Sequence, residues 1–220
     1  GYVTVNATRR KINHDPQDPG VIDDTLKIVD AVKKMPEVDP NSVTLYGGSG
    51  GGTLALEVVG HADLAAVVAG EPATIIYMGM FTKEHIVTDA SGKPTGDRRW
   101  DVMHADAKRL YTPQLRKHTR DKLAQIKCPV LILHGDQQAL KKFNFDVFVP
   151  EVEAVGKSIE LITYPGENHG FYWGRSDNPA MPLKANRDAE AFFRKYIQTQ
   201  PRPVEPQFVN DEPVVVNANG

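Results

Sequence analysis

The feature that most constrains this chain is a glycine cluster around one serine. In "SVTLYGGSGGGTLALEV" (42–58), Ser49 sits among Gly47, Gly48, Gly50, Gly51 and Gly52. A β-like apolar stretch enters the cluster and a helix-like stretch leaves it. Glycines this dense at a strand-to-helix turn serve one of two ends. They let a nucleophile project from a strained backbone, or they let the backbone approach a phosphate closely. The two uses require different partners elsewhere in the chain.

The dinucleotide use finds some support. Gly50, Gly52 and Ala55 satisfy G-x-G-x-x-A, and Glu71 stands at the end of the next apolar run, where a ribose-binding acid belongs. It places the glycine turn beyond the strand end instead of at it, and it leaves the later strand ends without a role. A P-loop lacks its closing Lys-Ser/Thr, because the run ends in Gly52-Thr53. The nucleophile use fits without an offset: Gly47-Gly48-Ser49-Gly50-Gly51 is G-x-S-x-G directly between strand and helix. A serine at the tip of such a turn takes a strained conformation, and flanking residues that crowd the backbone must lack Cβ. The helix dipole then favours negative charge near Ser49, with the Gly50 N–H as the first oxyanion donor.

The remaining sequence alternates strands and helices. Strands are expected at 1–9, 43–47, 64–70, 129–135 and 159–166, and helices at 21–35, 53–60, 143–155 and 184–197. The last helix has Ala189, Phe192, Phe193 and Tyr196 as its apolar stripe. Continuous Val/Ile/Leu strands between helices predict an α/β fold with a mostly parallel, doubly wound sheet covered on both faces. Residues 76–125 interrupt the alternation and read as a helical lid, with a loop at 89–97 and helical patches near 100–110 and 113–126. Residues 1–200 form the catalytic domain in this reading, and the Pro-rich 201–220 a tail. Sites in such sheets lie at the carboxyl ends of the strands. That singles out 47–51, 70–74, 135–138 and 165–170.

Composition narrows the function. The 220-residue chain has a formal net charge of −2, which offers no electrostatic argument for nucleic acid or an anionic membrane. No apolar run approaches the roughly 20 residues of a membrane span. The single cysteine, Cys128, allows no intrachain disulfide and reads as a buried small hydrophobe. The histidines show no metal-ligand spacing with a carboxylate, so neither a metal nor another cofactor is expected. A nucleophilic serine needs a base. In "YPGENHGF", His169 follows the last strand at the active edge, whereas His134 in "LILHG" reads as a packed histidine.

The runs "GYVTVNATR", "IDDTLKIVDAVKKMPEVDPNSVTLYGGSGG", "IKCPVLILHGDQ" and "GKSIELITYPGENHGF" together resemble the catalytic domain of the prolyl-oligopeptidase and dienelactone-hydrolase branch of the α/β-hydrolases. The resemblance spans about residues 1–198 in family order. It implies a serine hydrolase (an esterase or a prolyl-oligopeptidase-like peptidase) with Ser49 as nucleophile on the elbow and His169 as general base. It also implies an acyl-enzyme path, and a small-molecule or peptide substrate.

Two positions depart from the family pattern. The acid usually stands three residues after the glycine of "HG", and here that residue is Gln138. A glutamine can orient the imidazole but cannot stabilise its cation. Asp136 is therefore the expected third member, ahead of Glu167 and Glu151, with a turn-capping role as its competitor. The family also places strands before the one resembling 1–9, and the loop after one of them supplies a second oxyanion N–H. Nothing in these residues corresponds to them, so the expected sheet lacks its N-terminal strands, and the sequence reads as part of a longer protein or as one in which another segment fills the gap. Tyr77, Trp100 and Phe171 are the expected substrate contacts, with Met78, Met80, Phe81, Tyr172 and Trp173 near them in sequence. A non-catalytic binding protein on the same fold is the competing function, supported by Gln138.

Overall fold

The computed structural model describes residues 3–6, 15–81, 86–91, 94–97 and 106–197. Four parallel strands form the central sheet: β1 (Thr44–Gly48), β2 (Ala66–Gly70), β5 (Val130–Gly135) and β6 (Ile159–Tyr164), in the spatial order β1-β2-β5-β6. The registers Gly48↔Gly70, Gly70↔Leu133 and Gly135↔Tyr164 bring the carboxyl ends to one edge. β3 (Ile86–Thr88) and β4 (Pro94–Asp97) form a separate antiparallel hairpin, where the sequence pattern suggests only a loop. Residues 3–6 are exposed and carry no strand in the structure, although the N-terminal stretch reads as one.

Strand alternation builds two cores. Val67, Ala69, Val130 and Ile132 face one cluster, and Ala66, Val68, Leu131 and Leu133 face the other. Val67, Val68, Leu131 and Leu133 are all fully buried, each contributing about 1.5–3 kcal/mol by removal from water. This is the signature of a parallel sheet covered on both sides.

The first face is covered by α1 (Pro19–Lys33), α2 (Gly50–Val58), α3 (Thr74–Tyr77), α4 (Ala107–Leu110), α5 (Pro113–Ala124), α6 (Lys141–Phe143) and α7 (Val149–Val155). The second is covered by α8 (Met181–Tyr196), through Ala185, Ala189 and Phe192. Asp18 caps α1 by accepting from the Gly20 N–H, and Pro19 pre-sets the first turn. Gly156 ends α7 in the left-handed region at φ 68°. A π-helical turn, Asn144–Phe148, joins α6 to α7 in a stretch whose apolar pattern suggests one uninterrupted helix.

Residues 76–125, expected as a lid, hold α4 and α5 among their described residues, close to the two expected helical patches. Charge pairs tie α5 down. The Lys122 ammonium donates to Glu57 Oε1 (2.7 Å) and to the Tyr77 carbonyl (2.9 Å), and the Arg116 and Arg120 side chains reach Glu151. The tail at 201–220 lies outside the described residues.

Candidate active site

β1 delivers Ser49 to the sheet edge and α2 starts immediately after it. The serine has φ 55° and ψ −121°, a conformation that costs about 1–3 kcal/mol outside glycine. Backbone hydrogen bonds hold the strain in place: the Ser49 N–H donates to the Gly70 carbonyl at 2.7 Å, and the Thr53 N–H to the Ser49 carbonyl at 3.0 Å. A Cβ on Gly47 would lie 2.1 Å from the Gly51 carbonyl oxygen, and one on Gly52 2.9 Å from the Gly70 oxygen. Gly51 itself faces open space. The steric demand after the serine therefore falls on Gly52, one position beyond where the motif places it. As an N-cap, Ser49 makes no side-chain capping bond to its helix. Its hydroxyl instead meets His169 Nε2 at 3.0 Å.

His169 stands in the loop after β6, and its side chain is 41% exposed. Burial lowers its pKa, and the neighbouring Arg175 guanidinium lowers it further. A base kept neutral is the form that accepts a proton from serine. The Gly50 N–H is the first amide of α2.

The other nitrogen of His169 faces a residue that sequence reasoning did not assign to catalysis. Glu71 Oε2 lies 3.4 Å from His169 Nδ1, and the Glu71 side chain is fully buried. Glu71 directly follows β2 and adopts a positive φ of 46°. Its N–H donates to the Leu133 carbonyl at 2.8 Å. Its carboxylate accepts from the Gly170 N–H at 2.5 Å and the Gly135 N–H at 3.3 Å. Burial pushes its pKa up to about 7; the two N–H donors oppose that rise and the Glu167 carboxylate adds to it. A signal for it existed in the sequence, since 70–74 is one of the strand ends that build sites in this fold. Its spacing from the glycine motif suits a ribose-binding acid, a use that the nucleophile reading leaves unfilled.

The expected acid occupies a different place. Asp136 Oδ1 accepts from the Gly166 N–H and from the Gln137 amide, both at 2.8 Å, pinning the turns after β5 and β6 together. These two hydrogen bonds hold its carboxyl below the usual carboxylate range. This is the capping role, and His169 is not among its partners. Gln138 is buried and hydrogen-bonds His134 Nδ1, which also receives Asn144 at 3.0 Å; Asn144 in turn accepts from the Thr74 hydroxyl. Burial pushes His134 down to about 4, so it is a neutral packed histidine, as its sequence context suggests.

Two of the expected substrate contacts need correction. Tyr77 and Phe171 are 1% and 0% exposed. Tyr77 packs edge-on against Phe148 under the Lys122 ammonium, and Phe171 packs against Tyr164. Neither presents a face to a substrate. Trp100 lies outside the described residues. The 3-10 turn Phe171–Trp173 rotates the next two aromatics toward the elbow instead. The Tyr172 hydroxyl donates to the Gly70 carbonyl at 3.1 Å. Trp173 is 54% exposed, stands edge-on to the His169 ring and abuts Gly48, where an added Cβ would lie 2.6 Å from the indole. Among the described residues no group of three His, Cys, Asp or Glu could hold a metal, and no helix is long and apolar enough to cross a membrane.

Comparison with known proteins bears on the fold and the family. The sequence is 25% identical over 184 residues to "Uncharacterized peptidase YuxL" of Bacillus subtilis (strain 168), covering 80% of this chain and 25% of that protein. The chain thus spans about a quarter of that relative's length. Among solved structures, a putative dienelactone hydrolase from Klebsiella pneumoniae superposes with a TM-score of 0.56 at 16% identity, covering 81% of this chain and 62% of that one. Est1E from Butyrivibrio proteoclasticus gives a TM-score of 0.54 at 20% identity, covering 82% and 70%. These likenesses establish the α/β-hydrolase fold. The sequence model of the prolyl oligopeptidase family matches residues 12–200, and the chain belongs to that family.

Proposed function

We propose that the protein is a serine hydrolase that cleaves a carboxylic ester or peptide bond through an acyl-enzyme on Ser49. The observation that carries this reading is the 3.0 Å contact between the Ser49 hydroxyl and His169 Nε2, made by a serine in a strained, glycine-flanked turn. In this mechanism His169 takes the hydroxyl proton as Ser49 Oγ attacks the acyl carbon. The carbonyl oxygen becomes an oxyanion beside the Gly50 N–H. His169 then returns the proton to the departing alcohol or amine, leaving the acyl group on Ser49. Water, deprotonated by His169, releases the acid and restores the hydroxyl.

Family membership and the esterase-like neighbours support this class of reaction. Trp173, exposed beside His169, is a better candidate for the acyl or leaving-group wall than the buried Tyr77 and Phe171. The competing reading, a binding protein without activity, rested on Gln138. That support weakens, because Gln138 turns into the core toward His134. The test is hydrolysis of a short-chain p-nitrophenyl ester and of an aminoacyl p-nitroanilide by the intact protein. Turnover of either substrate that disappears in Ser49→Ala is expected. Turnover unchanged in Ser49→Ala would overturn Ser49 as the nucleophile, and no turnover together with no fluorophosphonate adduct would favour the binding protein.

A further inference from the structure

A histidine that accepts a proton from serine must present a bare Nε2, so its own proton must sit on Nδ1. Something has to hold it there and stabilise the cation that forms during attack. The carboxylates first considered for this are engaged elsewhere. Asp136 bridges Gly166 and Gln137, Glu151 pairs with Arg116 and Arg120, and Glu167 Oε1 accepts from the Ser176 hydroxyl at 2.9 Å. Among the described residues one carboxylate lies beside His169 Nδ1.

We propose that Glu71 is the positioning carboxylate for His169, so that this chain takes its third member from the end of β2 and not from the end of β5. The proposal rests on the reading of Ser49 and His169 as nucleophile and base. Its geometry is over-determined. The Gly170 N–H, adjacent to His169 in sequence, donates to the same Oε2 that faces Nδ1. One carboxylate oxygen therefore fixes both the backbone and the ring of the histidine loop. The Gly135 N–H holds the other oxygen, and a Cβ at Gly135 would crowd that oxygen at 3.1 Å and the Glu167 carbonyl at 2.4 Å. The φ of 46° at Glu71 is a conformation uncommon for a residue with Cβ.

This placement makes the site sensitive to pH near neutrality. Burial raises the Glu71 pKa, and Glu167 raises it further against the two N–H donors. Tyr46 and Tyr172 also face Glu71, and its charge raises their pKa values in turn. Arg175 acts on His169. Protonated Glu71 would donate its own O–H to Nδ1 and force the imidazole proton onto Nε2, the tautomer that cannot accept from serine. Ionised Glu71 accepts from Nδ1–H and selects the active tautomer.

The experiment is a titration of His169 by nitrogen-15 NMR in the intact protein carrying Ser49→Ala, alone and combined with Glu71→Gln or Asp136→Asn. Above about pH 7, ionised Glu71 is expected to hold the imidazole proton on Nδ1, read in the nitrogen shifts as a protonated Nδ1 and a bare Nε2; below it the proton moves to Nε2. Glu71→Gln is expected to remove this change of tautomer, while Asp136→Asn leaves it in place. Glu71→Asp, which keeps a carboxylate, should retain it. A change of tautomer in Glu71→Gln equal to the parent's, or its loss in Asp136→Asn, would overturn the proposal. Should Glu71→Gln not fold, the Asp136→Asn spectrum decides alone. The readout needs no turnover. Failure of the hydrolase reading would show separately, as absence of a fluorophosphonate adduct on Ser49.

Discussion

The ends of β2 and β5 lie side by side at the carboxyl edge of the sheet and set their polar side chains in different surroundings. At the end of β5, the family position of the acid holds Gln138, turned inward to a neutral, buried His134. Asp136, two residues earlier, ties turn to turn. At the end of β2, Glu71 is fully buried against His169 and held by two backbone N–H groups. One strand end is built for packing and the other for charge. The difference teaches that a triad acid is defined by what the histidine ring can reach. Two neighbouring strand ends can offer that position, and the residue at each then follows its surroundings.

Four substitutions separate these roles. The largest expected effect is on Glu71→Gln, which keeps the shape but removes the charge. By analogy with loss of a triad carboxylate elsewhere, kcat should fall by about 10³–10⁴-fold. Steady-state kinetics on a chromogenic ester reads this directly. Gly47→Ala tests the elbow that both strand ends serve. Its Cβ would meet the Gly51 carbonyl at 2.1 Å, so a stability loss of about 3 kcal/mol or more is expected in urea unfolding, together with lost activity. Gln138→Ala should behave oppositely to Glu71→Gln. It strips a buried partner from His134 and should cost about 1–3 kcal/mol of stability while changing kcat by less than tenfold. Asp136→Asn should be smallest, with kcat again within about tenfold, 1.4 kcal/mol in the barrier.

The comparison also has a stability signature. The folded-state pKa of Glu71, about 7, lies above its ordinary 4.5, so folding favours the protonated form. That contribution is complete below the unfolded value and is lost as pH rises through 7. Glu71→Gln cannot ionise, so its Tm relative to the unsubstituted protein should rise between pH 5 and pH 8. A Tm difference independent of pH would mean that Glu71 is already ionised throughout.

Much of this was legible in the sequence. Continuous apolar strands gave the doubly wound sheet, because burial on both faces leaves no alternation to hide. The G-x-S-x-G turn and "ENHGF" single out Ser49 and His169, which the structure brings within 3.0 Å, because each sits directly at a strand end. The acid was not legible, since its assignment depends on the 46° φ at Glu71, which no residue pattern announces. Neither was the choice among Phe171, Tyr172 and Trp173. A single 3-10 turn decides which of three adjacent aromatics is buried and which faces His169. The π-helical turn at Asn144–Phe148 was hidden for a related reason, because an inserted residue leaves the apolar pattern nearly unchanged.

The most direct measurement is the rate at which a fluorophosphonate modifies Ser49, followed by intact mass and peptide mapping in the unsubstituted protein, Glu71→Gln and Asp136→Asn. The account predicts a single adduct on Ser49, formed far more slowly in Glu71→Gln and at a near-normal rate in Asp136→Asn. Slow labelling in Asp136→Asn with normal labelling in Glu71→Gln would contradict it.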